Sequence, residues 1–105
     1  MRRGELWWAD LPQPAGRRPV LLLSRNVAYE VRLFVIMCPL TTHSRGLRTE
    51  IVLGPEDGLP RPTVANLDVL ITESKNRLQQ RIASLRPEKL EAVDSALHFA
   101  LGLPF

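Results

Sequence analysis

Two apolar runs, Val20-Leu21-Leu22-Leu23 and Leu33-Phe34-Val35-Ile36-Met37-Cys38-Pro39-Leu40, constrain the fold more than any other feature of this sequence. Neither alternates between apolar and polar residues, and a strand that does not alternate is covered on both faces. In a chain of 105 residues that cover has to come from a helix or from a second subunit. The 45% hydrophobic content supplies one small core, so a single domain over residues 1–105 is expected.

Around these runs the chain reads as short strands separated by proline and glycine. Residues 5–11 form a first strand, ended by Pro12-Gln13-Pro14-Ala15-Gly16, which cannot continue a ladder. Residues 20–24 and 33–40 are the second and third strands, joined by 26–32. Residues 49–53 alternate and should keep one wet face, and 54–60 are a turn by composition. Residues 62–68 and 69–73 read as the last strands, with 75–81 a short helical turn leading out of them. A helix is predicted from Pro87 to Leu101, because Leu90, Val93, Leu97, Ala100 and Leu101 recur at spacings of three and four. Pro87 suits its first position, and Gly102 with Pro104 closes it. The pattern describes a mainly β fold with a C-terminal α-helix, arranged as a compact small barrel.

The formal charge of +3 and pI near 9.8 favour a polyanionic partner, and the cations are twelve Arg against two Lys. Arginine is the side chain that reads phosphate bidentately. Two polar clusters stand at strand ends. One is the Arg17-Arg18 pair between Gly16 and Pro19, and the other is Thr41-Thr42-His43-Ser44-Arg45. If the second and third strands pair, these clusters meet. Further loop cations at Arg25, Arg48 and Arg61 could track a phosphate backbone. Trp7 and Trp8 point to opposite faces of the first strand, and both are expected to pack. The single cysteine, Cys38, excludes an intrachain disulfide and a cysteine zinc cluster, and a buried thiol is expected there. No metal or cofactor is expected. The N-terminus has no apolar signal region, and no apolar run reaches the roughly 18 residues of a membrane span. The expected location is therefore cytoplasmic.

Five segments, in this order, resemble the MazF/PemK (Kid-type) toxins of bacterial type II toxin-antitoxin systems. They are Arg3-Gly4-Glu5-Leu6-Trp7-Trp8-Ala9-Asp10-Leu11, residues 16–24, Pro39-Leu40-Thr41-Thr42, Val64-Ala65-Asn66-Leu67-Asp68, and the helix end Ala100-Leu101-Gly102-Leu103. The resemblance implies a small SH3-like β-barrel of the CcdB/PemK/MazF toxin fold, dimeric, held in check by a cognate antitoxin with an acidic, disordered segment. It also implies an endoribonuclease that cuts single-stranded RNA at short sequences without a metal. The family's arginine before the Pro-Val strand falls on Arg18, and its strand-end threonine falls on Thr41, the two positions that carry cleavage. In the Kid-type branch a later acid and arginine also take part; here the acid is Asp68, and Asn66 replaces the arginine.

Metal-free cleavage of RNA uses the neighbouring 2′-hydroxyl as nucleophile and leaves a 2′,3′-cyclic phosphate and a 5′-hydroxyl. Arg18 suits the charge that develops on phosphorus. Thr41 offers a hydroxyl to orient a phosphoryl oxygen. Asp68 and His43 are the candidates for proton exchange. Arg17, Arg25, Thr42, Arg45, Arg48 and Asn66 are the candidate RNA-binding residues. Two rival readings remain. One is a CcdB-like gyrase poison that binds a protein target, although the chain ends Gly102-Leu103-Pro104-Phe105 rather than in that group's Trp-Gly-Ile. The other is a degenerate homologue that binds antitoxin without cutting.

Overall fold

The computed structural model describes residues 1–104. Seven strands are followed by one long helix: β1 (Glu5–Asp10), β2 (Arg17–Leu22), β3 (Phe34–Thr41), β4 (Glu50–Leu53), β5 (Thr63–Asn66), β6 (Ile71–Ser74), β7 (Leu78–Ser84), and α2 (Pro87–Leu101). A single-turn helix, α1 (Ala28–Val31), lies between β2 and β3. The sheet runs β4-β5-β3-β2-β1-β7, with β6 also paired to β3, and all pairings are antiparallel.

Two prolines shape this sheet. On its outer edge β3 pairs with β6 from Phe34 to Met37 and with β5 at Leu40 and Thr41. The change of partner falls on Cys38-Pro39, where Pro39 has no N–H to donate. The Cys38 thiol fills the bend and donates to Asn66 O at 3.3 Å. On its inner edge β3 pairs with β2 through Leu22↔Met37, Leu21↔Cys38 and Val20↔Pro39, and the ladder then stops. In the alternation of an antiparallel pair, the next donor to β3 would be residue 19, which is proline. Beyond that point the strands part.

Strand alternation divides the interior into two cores, one on each face of the sheet. Leu6, Leu21, Cys38 and Leu40 face Val93 and Ala96 of α2. Ala9, Val20, Leu22, Val35 and Met37 face Tyr29 of α1 and Leu11. This is the two-sided cover that the unbroken apolar run of β2 demands, at about 1.5–3 kcal/mol for each large side chain buried. The first half of β3 lacks such cover on one side. Phe34 and Ile36 are 55% and 43% exposed, beside exposed Val31 and Leu33.

The structure corrects three expectations. The segment after β6 is not simply a helical turn, because a 3-10 turn at Lys75–Arg77 gives way to β7, a further strand paired with β1. The second strand begins at Arg17, so the arginine pair lies within it. The connection 26–32 contains α1. The helix Pro87–Leu101 has the predicted ends, with Gly102 in the left-handed C-cap conformation at φ 65°.

Candidate active site

The parting of β2 from β3 leaves the Leu40 carbonyl without its ladder partner, and the side chain of Arg18 supplies one. Arg18 donates from Nη1 to Leu40 O at 3.4 Å and from Nε to Ala15 O at 3.0 Å. These bonds hold the guanidinium across the gap and leave Nη2 without a protein hydrogen bond among the described residues. Continuing the register from Val20↔Pro39 sets Arg18 opposite Thr41. The Thr41 hydroxyl oxygen accepts the His43 N–H at 3.1 Å, which leaves its own proton free to donate.

Two clefts open on either side of this pair. The first, of about 260 Å³, is walled by Trp8, Arg17, Pro19 and Thr42, by Pro60 and Arg61 from the approach to β5, and by Thr63 at its start. The second, of about 460 Å³, is walled by His43, Arg45, Glu50 and Asn66, with Ala15, Pro39, Val69 and Ile71 as its apolar floor. Among the described residues only Arg18 and Thr41 line both.

The structure gathers most of the residues singled out from sequence. Arg18, Thr41, Arg17 and Thr42 meet at the first cleft, and His43, Arg45 and Asn66 at the second. Asp68 lines neither. Its Oδ2 accepts from the Thr49 hydroxyl at 3.1 Å, and the same hydroxyl lies 2.8 Å from Asn66 Oδ1. Arg25 sits past the opposite end of β2, on the order of 20 Å along the strand direction from Arg18, and lines neither cleft. Arg48 is turned away to stack on Phe99 of α2, with its guanidinium carbon 4.1 Å from the ring centre. The two tryptophans also divide. Trp7 packs against the second core, whereas Trp8 lines the first cleft with Arg17 stacked over its ring at 4.3 Å.

Glu50 carries a role that the sequence did not signal. Its carboxylate accepts the N–H groups of Arg45 and Leu47 and the Ser44 hydroxyl, at 3.0–3.2 Å. The Arg45 N–H is the largest cause of a pKa held below the ordinary 4.5, and partial burial opposes it. A carboxylate saturated in this way anchors the loop 43–48 along the second cleft and is a poor base. Elsewhere, burial pushes the Cys38 thiol up to about 12, so it stays protonated and apolar in character. No group of three or more His, Cys, Asp or Glu among the described residues is placed to hold a metal.

The fold and its cleft define a class of protein: a small β half-barrel with a C-terminal helix and an arginine-lined opening where two strands part. Solved structures share it closely. The Mycobacterium tuberculosis toxin MazF-mt6 superimposes with a TM-score of 0.88 at 31% identity, over 96% of this chain and 99% of that one. A mycobacterial endoribonuclease solved in complex with its cognate antitoxin gives 0.86 at 30% identity, over 100% and 98%. The model of the PemK-like, MazF-like toxins of type II toxin-antitoxin systems matches residues 2–101, and the chain belongs to that family. The probable endoribonuclease MazF5 of Mycobacterium tuberculosis is 38% identical over 100 residues, which cover 94% of this chain and 91% of the relative. No helix among the described residues is long and apolar enough to cross a membrane.

Proposed function

We propose that this MazF-family toxin is a metal-independent, sequence-selective endoribonuclease acting on single-stranded RNA in the cytoplasm, with residues 1–105 as one toxin domain. The observation that carries the reading is the Arg18–Thr41 pair shared by two clefts. A phosphodiester seated on that pair places the nucleotide on one side in the first cleft and its neighbour in the second. The Arg18 guanidinium, fixed by two backbone carbonyls, presents its free N–H groups to the non-bridging oxygens and stabilises the dianionic phosphorane. The Thr41 proton orients a phosphoryl oxygen. Attack by the 2′-hydroxyl expels the 5′-oxygen and leaves a 2′,3′-cyclic phosphate and a 5′-hydroxyl.

Proton exchange falls to His43, whose imidazole can both accept and donate a proton and which lines the same cleft as Arg18 and Thr41. Asp68 has instead the surroundings of a structural acceptor. Arg17, Thr42, Arg45 and Asn66 guide the strand through the clefts. Arg25 and Arg48 stand outside that path.

The active form is a homodimer. A second copy supplies the cover that Phe34 and Ile36 lack within one chain, at about 1.5–3 kcal/mol for each large side chain fully buried. A cognate antitoxin with an acidic segment neutralises the toxin by occupying the arginine-lined clefts. The test is incubation of the purified protein with mixed-sequence single-stranded RNA in EDTA, with mapping of the cut sites and their end chemistry. Discrete cuts with 2′,3′-cyclic phosphate ends, absent in Arg18→Ala, are expected. RNA left intact across diverse substrates overturns the nuclease reading and favours a toxin that binds a protein target.

A further inference from the structure

Resting on the nuclease reading, we propose that the first cleft is the subsite for a single nucleobase beside the scissile phosphate, and that Arg61 reads this base as guanine. At about 260 Å³ the cleft falls just short of the roughly 300–1,000 Å³ of a drug-sized pocket, a size that suits a group as small as a nucleobase.

One wall is a ready stacking surface. The Arg17 guanidinium lies over the Trp8 ring at 4.3 Å and is kept there by its Nε bond to Gln79 Oε1 at 3.1 Å. Unstacked bases of single-stranded RNA bind on such aromatic and guanidinium planes. The rings of Pro19 and Pro60 add apolar edges. Together these surfaces hold a flat heterocycle without selecting among the four.

Selection comes from Arg61. Its backbone is pinned by the Thr63 hydroxyl, which donates to Arg61 O at 2.8 Å, while no hydrogen bond or ion pair engages its guanidinium among the described residues. The cleft lining contains three arginines and no carboxylate, so it offers donors and favours a base edge that carries acceptors. A guanidinium fork matches the N7 and O6 of guanine in two parallel bonds. Adenine presents an amino donor at the second position, which would face a cation unpaired.

The test compares the cut sites of the wild type, Arg61→Ala and Arg61→Lys on mixed-sequence single-stranded RNA. Guanine enrichment is expected at one position flanking the wild-type cut. Arg61→Ala should reduce the preference there about tenfold, in the range of one bidentate pair, and leave other positions unchanged. Arg61→Lys, which keeps the charge but loses the fork, should not restore it. If the wild type cuts and all three profiles agree, the subsite is overturned while the nuclease reading stands.

A second arm does not require cleavage. Short 2′-O-methyl oligonucleotides differing in one base are titrated into Trp7→Phe protein, where fluorescence reports Trp8 alone. Guanine-dependent quenching that Arg61→Ala abolishes supports the subsite even if RNA stays intact. Equal response to all four bases, or none, overturns it.

Discussion

The two clefts share Arg18 and Thr41 yet differ in everything else. The first is lined by three arginines, a tryptophan and two prolines, with no carboxylate. The second contains His43 and a carboxylate, Glu50, already saturated by the loop it anchors. The first is built to hold a flat, acceptor-bearing group; the second has the group able to exchange a proton. On the proposed reading, binding and proton chemistry fall on opposite sides of one phosphate position, so substitutions on the two sides should fail in different ways.

The largest effect belongs to the shared wall. Arg18→Ala should lower cleavage about 10³-fold, the upper range for loss of one preorganised donor, with the melting temperature little changed because water reaches Leu40 O at the cleft. An equal loss of rate in a variant that has also unfolded would remove the distinction. On the second side, His43→Ala should cost about 10²-fold in the single-turnover rate, with binding of an uncleavable 2′-O-methyl oligonucleotide little changed. A variant that cuts at the wild-type rate would move proton exchange away from this cleft. Thr41→Val removes one charge-assisted hydrogen bond of about 1.5 kcal/mol, so roughly tenfold in rate is expected, on substrates of every sequence alike.

The smallest effect is local. The folded pKa of Glu50 is depressed, so its contribution to loop order is present above the unfolded value of 4.5 and is lost as pH falls through the lower folded value. Amide protection at Arg45 and Leu47, taken relative to the intrinsic exchange rate at each pH, should therefore fall only in acid in the wild type. In Glu50→Gln it should be lower throughout. Protection that does not change between wild type and variant would show that the carboxylate does not order the second cleft.

Legibility of the sequence varied with how much of each element is buried. Helix α2 was readable at both ends because its proline, acidic first turn and closing glycine agree with its apolar stripe. Strand β7 was not, since Leu78-Gln79-Gln80-Arg81-Ile82 lies at the sheet edge with register shifts against β1 and shows no alternation to read. Strand β2 starts three residues before the apolar run begins, because Arg17, Arg18 and Pro19 carry no strand pattern of their own. Pairing with β1, including Ala9↔Arg18, makes them strand.

At the site, the meeting of the two strand-end clusters followed from an antiparallel β2–β3 pair. The roles of Trp8 and Glu50 depend instead on which way side chains turn in loops and on loop-to-strand contacts distant in sequence. Arg48 illustrates the same limit, as only the fold reveals that it stacks on Phe99 and lines neither cleft.

Pro19 gives this opening a mechanical character. A ladder bond ties two backbones and yields only when a strand moves; the 3.4 Å contact from Arg18 to Leu40 O ties a backbone to a jointed side chain and is long for its kind. The seam between β2 and β3 is therefore the compliant line in a stiff sheet. On the proposed reading, an arriving phosphate can lengthen the Leu40 contact alone, while the shorter Nε bond to Ala15 O keeps the guanidinium in place and Val20, Leu21 and Leu22 stay zipped behind it.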